Sequence, residues 1–398
     1  MAGIFDKLIL LVVQLWTVLF GGVSRKTAHP ATRHGGHRQI SPALFAELEE
    51  LARLVDIAYC VGNTGVHKPF RCLNHCADFK QFELIRTWNT GPLLSDSCGY
   101  IALSHRPSAQ RIIVAFRGTY SLANTIADLS VVPQVYETYP GGSDDDDDDK
   151  KPRCANCTVH TGFYTSWHNT RDIVLPAVAD ALAAYTEYEI VLVGHSLGGA
   201  VAALAGLDMR VRGWNPRVTT FGEPRIGNED LAAYLNGLFN LSAGGDNDDD
   251  DDRIDDEDGR QNPDNWPYRR VTHMNDPVPL LPLPEWGYAS HAGEIFISKL
   301  SLPPDVSDVQ WCSGNEDPRC ISGAESSSSS ALAALSSLQS PHASRWQKLL
   351  DFIPAPFRLW ELFFAHRDYF WRIGLCVPGG DPGTWRLPFA FWRRLLLS

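Results

Sequence analysis

The chain has 398 residues, 44% hydrophobic and 11% aromatic, enough apolar material for a large core in one big domain with extensions or in two. Its formal charge of −12 sits in two runs: Asp144 to Asp149 holds six acids, and Asp246 to Asp258 holds ten more against Arg253. The remainder is close to neutral and has no concentrated basic patch, which argues against nucleic-acid binding.

In chain order the first element is Leu8 to Phe20 (LILLVVQLWTVLF), thirteen mostly apolar residues behind Lys7. That length suits a signal-peptide core, whereas a membrane span needs roughly 20 apolar residues. No clean small-x-small cleavage site follows, and Arg25 and Lys26 could instead flank an uncleaved anchor. Residues 1–24 therefore read as a signal peptide or signal anchor, which predicts a secreted or lumenal protein, with membrane anchoring by this segment as the variant. Residues 25–40, rich in basic residues, His and Gly, read as a linker, and 41–398 as the folded domain.

Ser41 can cap a helix running through Leu44, Leu48, Leu51, Leu54 and Ile57 at helical spacing. Beyond it the pattern alternates. Arg111 to Phe116 (RIIVAF) predicts a buried strand, Ile173 to Tyr185 a helix, Glu189 to Val193 (EIVLV) a strand, and Ala200 to Met209 a small-residue helix. Arg217 to Phe221 and Arg269 to His273 predict two more strands. This alternation implies an α/β domain with a mainly parallel sheet. Three low-complexity segments, 141–153, 243–264 and 322–343, cannot bury enough apolar surface to offset their ordering entropy and read as disordered surface insertions. The acidic runs lack the alternating ligands and turn glycine of a calcium loop, so no metal site is assigned to them.

Nine cysteines behind a secretory signal point to disulfides rather than metal ligands. Cys72 and Cys76, Cys154 and Cys157, and Cys312 and Cys320 form local couples; Cys60 and Cys376 bracket most of the chain, and Cys98 is left over. Asn156-Cys157-Thr158 and Asn240-Leu241-Ser242 are glycosylation acceptors in a secreted chain.

The chemistry centres on Gly194-His195-Ser196-Leu197-Gly198, which fits G-x-S-x-G. It follows an apolar strand and opens a helix, the context of a nucleophile elbow, with Gly194 and Gly198 small enough for strand and helix to approach. A serine hydroxyl needs a base, and the base an orienting carboxylate, in the chain order Ser, Asp, His for this type of fold. Asp276, just beyond the strand RRVTH, would stand at the carboxyl end of the sheet, where such sites form. For the base, spacing alone leaves His291 and His366 both open, while His342 lies in the Ser-rich segment.

These motifs together resemble the class 3 lipases, the filamentous-fungal triacylglycerol lipase family that also includes feruloyl esterases. The resemblance runs from about Leu51 to Cys376. It rests on Gly194 to Gly199, Phe116-Arg117-Gly118-Thr119, Val159-His160-Thr161-Gly162-Phe163, Phe221 to Asn228, Asp276-Pro277-Val278-Pro279, His291 to Glu294, and the H-x-x-Y of His366 to Tyr369. It implies an α/β-hydrolase with a central mainly parallel sheet flanked by helices and a short helical lid over the site. It also implies a triad of Ser196, Asp276 and His366, with His291 as a structural histidine, and an oxyanion hole from the amides of Leu197 and Thr119. The lid would fall at about Tyr120 to Asp128, with Leu122, Ala123 and Ile126 on its apolar face. Cys60 with Cys376 and Cys312 with Cys320 resemble the family's bridges, and Cys72 with Cys76 a third whose spacing here is one residue longer.

The expected activity is hydrolysis of acylglycerol esters without metal or organic cofactor. The substrate partner is a lipid or other ester met at a lipid–water interface or membrane surface. A feruloyl-type esterase or phospholipase A1 is the alternative on the same scaffold, and a non-catalytic lipid-binding protein the alternative of another class. The late aromatics, with Trp385, Phe389, Phe391 and Trp392 beside Arg386, Arg393 and Arg394, suit a membrane interface.

Overall fold

The computed structural model describes residues 38–91, 96–119, 133–138, 153–242, 262–274, 276–323 and 365–377. The chain separates into two units, Met1–His37 and Arg38–Ser398, and all the described residues belong to the second. The N-terminal apolar stretch, the predicted lid at Leu122, Ala123 and Ile126, both acidic runs and the tail aromatics lie outside the described residues. Among the described residues no helix is long and apolar enough to cross a membrane.

Helix α1 (Pro42–Ala58) starts where predicted: Ser41 accepts a hydrogen bond from the Leu44 amide, and Pro42 occupies the first turn. Residues 38–40, the end of the stretch read as a linker, are described. Gln39 bridges to Gln310, and Trp311 N–H donates to the Arg38 carbonyl, so the chain joins the sheet edge before the helix begins.

The sheet has eight strands: β1 (Phe82–Asn89), β2 (Cys98–Ser104), β3 (Arg111–Phe116), β6 (Glu189–His195), β7 (Arg217–Phe221), β8 (Tyr268–His273), β9 (Glu294–Ile297) and β10 (Val309–Trp311), in that spatial order. The pairs from β3 through β9 are parallel; the β1–β2, β2–β3 and β9–β10 pairs are antiparallel. Two short strands, β4 (Pro133–Val135) and β5 (Thr158–His160), form a separate antiparallel pair. The α/β domain with a mainly parallel sheet, expected from the alternation, is the one observed.

Strand periodicity decides how the layers form. Along β3 and β6, Ile112, Val114, Phe116, Ile190 and Leu192 pack into one core with α2 (Thr161–Ala184) and α3 (Leu197–Val211). The intervening Ile113, Ala115, Val191 and Val193 pack into a second core with α1. Both faces of the central strands are buried, so they are apolar throughout, as parallel strands covered by helices must be. Helix α2 begins twelve residues before the predicted Ile173. Its first half is polar by composition, yet Phe163, Trp167 and Thr170 recur on its buried face, and His160 caps it by accepting from Phe163 N–H.

Disulfides join Cys60 to Cys376, Cys72 to Cys76, Cys154 to Cys157 and Cys312 to Cys320. Cys98 is free and buried, and burial pushes its thiol above the ordinary range, consistent with an inert core group. At the margins of the predicted insertions, Pro263–Asn265 forms a 3-10 turn, and Ser322 is buried and accepts from Arg270.

Candidate active site

Ser196 stands between the end of β6 and the start of α3 with φ 60° and ψ −129°, a conformation that costs a residue other than glycine of order 1–3 kcal/mol. Hydrogen bonds hold it there: Ser196 N–H donates to the Phe221 carbonyl (2.9 Å) and Gly199 N–H to the Ser196 carbonyl (2.8 Å). The flanking glycines are required by contact. A Cβ on Gly198 would collide with the backbone of Phe116 and Arg117, and one on Gly194 with the backbone of Gly198. Helix α3 therefore meets the sheet backbone to backbone, which places the first amides of α3 beside the chain leaving β3.

That chain is Arg117-Gly118-Thr119. A Cβ on Gly118 would lie 2.9 Å from the Ser196 Cβ, so this segment runs directly alongside the serine. Thr119 Oγ1 is buried and has no hydrogen-bond partner among the described residues. Leu197 opens α3, where amides have no intrahelical acceptor and the helix dipole favours negative charge.

Asp276 follows β8 and is buried. Its Oδ1 accepts from Val278 N–H (2.9 Å), and its Oδ2 accepts from the Tyr369 hydroxyl (2.5 Å). His366 Nδ1 lies 2.9 Å from both carboxylate oxygens. Because a carboxylate only accepts, Nδ1 carries the proton of this contact. His366 Nε2 is buried and has no hydrogen-bond partner among the described residues, Ser196 included. Burial raises the Tyr369 phenol well above its ordinary range, and the Asp276 charge adds to this, so Tyr369 remains a donor.

Spacing left two histidines open, and the structure gives them different carboxylates. His291 Nε2 lies 3.0 Å from Glu223 Oε1 and its Nδ1 2.8 Å from the Ala292 carbonyl, while Thr220 and Tyr268 donate to Glu223 Oε2. It belongs to a separate buried cluster, and His366 is the one against Asp276.

Three contributors were not singled out from the sequence. Tyr369 appeared only as the last letter of H-x-x-Y; its hydroxyl bonds the carboxylate. Arg225 fastens the loop after Asp276, donating from Nη1 to the carbonyls of Leu280 (2.5 Å) and Pro282 (3.0 Å). Gly222, at φ +59°, lies under the pair: a Cβ there would be 2.6 Å from the Tyr369 oxygen and 2.9 Å from both Asp276 Oδ2 and His366 Cε1. Gly222→Ala is therefore expected to lower kcat by about 10- to 100-fold through displacement of the His366–Asp276 pair. Steady-state kinetics on a soluble ester checks this, and unchanged kcat would mean that the pair tolerates the methyl group. Asn156 and Asn240, the two sequon asparagines, are exposed and both have positive φ.

Comparison with known proteins places this geometry. The family described as Lipase (class 3) matches residues 113–286, a span that includes Ser196 and Asp276 and stops before His366. Lipase A of Sodiomyces alcalophilus is 50% identical over 399 residues, covering 94% of this chain and 92% of that protein. The secreted mono- and diacylglycerol lipase 2 of Gibberella zeae is 49% identical over 387 residues, covering 92% of this chain and 90% of that protein. Among solved structures, the Lip2 lipase of Yarrowia lipolytica is similar with a TM-score of 0.64 at 29% identity, covering 85% of this chain and 97% of that one.

Proposed function

This chain belongs to the class 3 lipase family, and we propose that it cleaves acylglycerol esters with Ser196 as nucleophile, His366 as general base and Asp276 as the carboxylate that orients the base. It is a carboxylic ester hydrolase, and its substrates are lipid esters. The observation that carries the assignment of roles is the contact of His366 Nδ1 with both oxygens of Asp276, which leaves Nε2 free for the Ser196 proton.

In the proposed cycle Ser196 Oγ attacks the ester carbonyl as His366 Nε2 takes its proton. The amides of Leu197 and Thr119, with the Thr119 hydroxyl, receive the developing oxyanion; one such donor typically contributes 10²–10³-fold to kcat. The imidazolium protonates the departing glycerol oxygen. Water, deprotonated by His366, then attacks the acyl-serine, and the second tetrahedral intermediate collapses to release fatty acid and return the proton to Ser196.

Likeness to a protein named as a mono- and diacylglycerol lipase supports partial glycerides as preferred substrates. Export is supported by the N-terminal apolar stretch, the four disulfides and the same relative's description as secreted, and it makes Asn156 and Asn240 candidate glycan acceptors. Docking at a lipid–water interface belongs to the same reading. The test is turnover of mono-, di- and triolein emulsions beside methyl ferulate and a phospholipid. Fatty acid released chiefly from mono- and diolein is the expected result; preferred turnover of ferulate or phospholipid would move the assignment to the alternatives on the same scaffold.

A further inference from the structure

His195, the variable residue of Gly194-His195-Ser196, has no part in the cycle above. It nonetheless touches two elements that determine where the base stands. Strand alternation explains why. Val191 and Val193 face the core under α1, so His195, two residues on, projects to the same side. There its Nδ1 lies 2.6 Å from the hydroxyl of Tyr59, the residue that ends α1, and its Nε2 lies 2.8 Å from the backbone carbonyl of His366.

These contacts fix the tautomer. A carbonyl oxygen only accepts, so Nε2 carries the hydrogen; burial drives the His195 pKa well below the usual range, so Nδ1 is bare and Tyr59 donates to it. The rings of His195 and His366 lie 4.7 Å apart at 31°. A neutral ring at this separation supports the imidazole of His366 without opposing the positive charge that it gains during catalysis.

The His366 side chain is oriented by Asp276, and Cys376, ten residues on, is tied to Cys60. Further contacts hold the intervening chain, among them Gly374 N–H to Asp56 (2.7 Å), Asn74 Nδ2–H to the Leu375 carbonyl (3.2 Å), Trp371 Nε1–H to Glu49 (2.8 Å), the Tyr369 hydroxyl to Asp276 (2.5 Å) and Arg367 Nε–H to the Ile373 carbonyl (2.5 Å). None of these grips the peptide of His366 itself. His195 does.

We propose that His195 is a positioning residue: as a neutral imidazole oriented by Tyr59, it holds the backbone carbonyl of His366 and so keeps that base in place beside Ser196. The inference rests on the reading of Ser196 and His366 as nucleophile and base. Because His195 is covalently next to Ser196, one residue ties the nucleophile's strand to the base's segment.

The test separates this role from core packing. His195→Phe keeps an aromatic ring and loses both hydrogen bonds. His195→Gln keeps an N–H that reaches the His366 carbonyl from nearly the position of Nε2. On a soluble short-chain ester, His195→Phe is expected to lower kcat by about 10- to 100-fold with KM within about twofold. His195→Gln is expected to recover kcat to within about fivefold of wild type. The rate at which a fluorophosphonate labels Ser196 should follow kcat in both. Equal losses in the two variants, or no loss in His195→Phe, overturn the proposal.

If His195→Phe does not fold, Tyr59→Phe decides. It removes only the hydroxyl that orients the ring and is expected to lower kcat about 3- to 10-fold at unchanged KM; unchanged kcat overturns the proposal. His366→Ala, assayed in parallel, keeps the two readings distinct: retained activity there refutes the assignment of the base, whatever the His195 variants do.

Discussion

Ser196→Ala is expected to lower kcat on a soluble ester by about 10⁴- to 10⁶-fold, with KM and melting temperature close to wild type. The kinetic loss follows from removing the atom that bonds to the acyl group. What remains is the contribution of the oxyanion amides and of binding, which do not need the hydroxyl. The stability expectation comes from the local geometry. Although Ser196 occupies the N-cap position of α3, its side chain makes no capping hydrogen bond, so the helix loses nothing with the hydroxyl. The elbow is held by backbone contacts, Ser196 N–H to the Phe221 carbonyl and Gly199 N–H to the Ser196 carbonyl, which alanine retains. Rate assays with thermal unfolding check both halves; a loss of kcat below about tenfold would remove Ser196 from the mechanism.

Asp276→Asn is the second large effect, expected at about 10⁴-fold in kcat. The carboxylate receives three donors: Val278 N–H, the Tyr369 hydroxyl and His366 Nδ1–H. An amide has the same shape but one accepting oxygen and an NH₂ that accepts nothing. Turned to Val278, the NH₂ faces another donor; turned to Tyr369, it can donate to the hydroxyl, and in either orientation it stands against His366 Nδ1–H, which is 2.9 Å from both positions. With the NH₂ against His366, the imidazole must carry its proton on Nε2, where it cannot accept from Ser196. If it faces the Val278 N–H, the loop after β8 is destabilised as well. The substitution should therefore lower the melting temperature as well as kcat, whereas Ser196→Ala should affect kcat alone. Kinetics and calorimetry on both variants test the contrast.

Much of the architecture was legible because its physics is local. An apolar run such as RIIVAF or EIVLV, buried on both faces, reads as a parallel strand, and the Gly-x-Ser-x-Gly turn after it reads as an elbow. Strands at and beside the sheet edges were missed for the same kind of reason. β1 alternates buried and exposed residues only in part, with charged Glu83 and Arg86 between, and β9 and β10 are four and three residues long. The early start of α2 was hidden by a polar first half whose core contacts are few and widely spaced.

The candidate site divides along the same line. Ser196 and Asp276 follow strands, so their positions could be read from their neighbours. The histidine could not be chosen by spacing, since the difference between His291 and His366 is which carboxylate each meets, and Glu223 stands 68 residues before His291. The resemblance to class 3 lipases pointed to His366, and the structure brings that residue to Asp276 across 90 residues of sequence. Gly222, Tyr369 and His195 act through contacts between segments far apart in the chain, and no local pattern reports such contacts.

The central claim is that ester cleavage passes through an acyl group on Ser196. It is tested most directly by mixing the enzyme with a p-nitrophenyl ester, quenching in acid within the first turnover, and finding the acyl mass by peptide mass spectrometry. The account predicts that mass on the peptide carrying Gly194-His195-Ser196-Leu197-Gly198, located at Ser196 by fragmentation and absent from Ser196→Ala. Acyl mass on another residue, or wild-type turnover in Ser196→Ala, would contradict it.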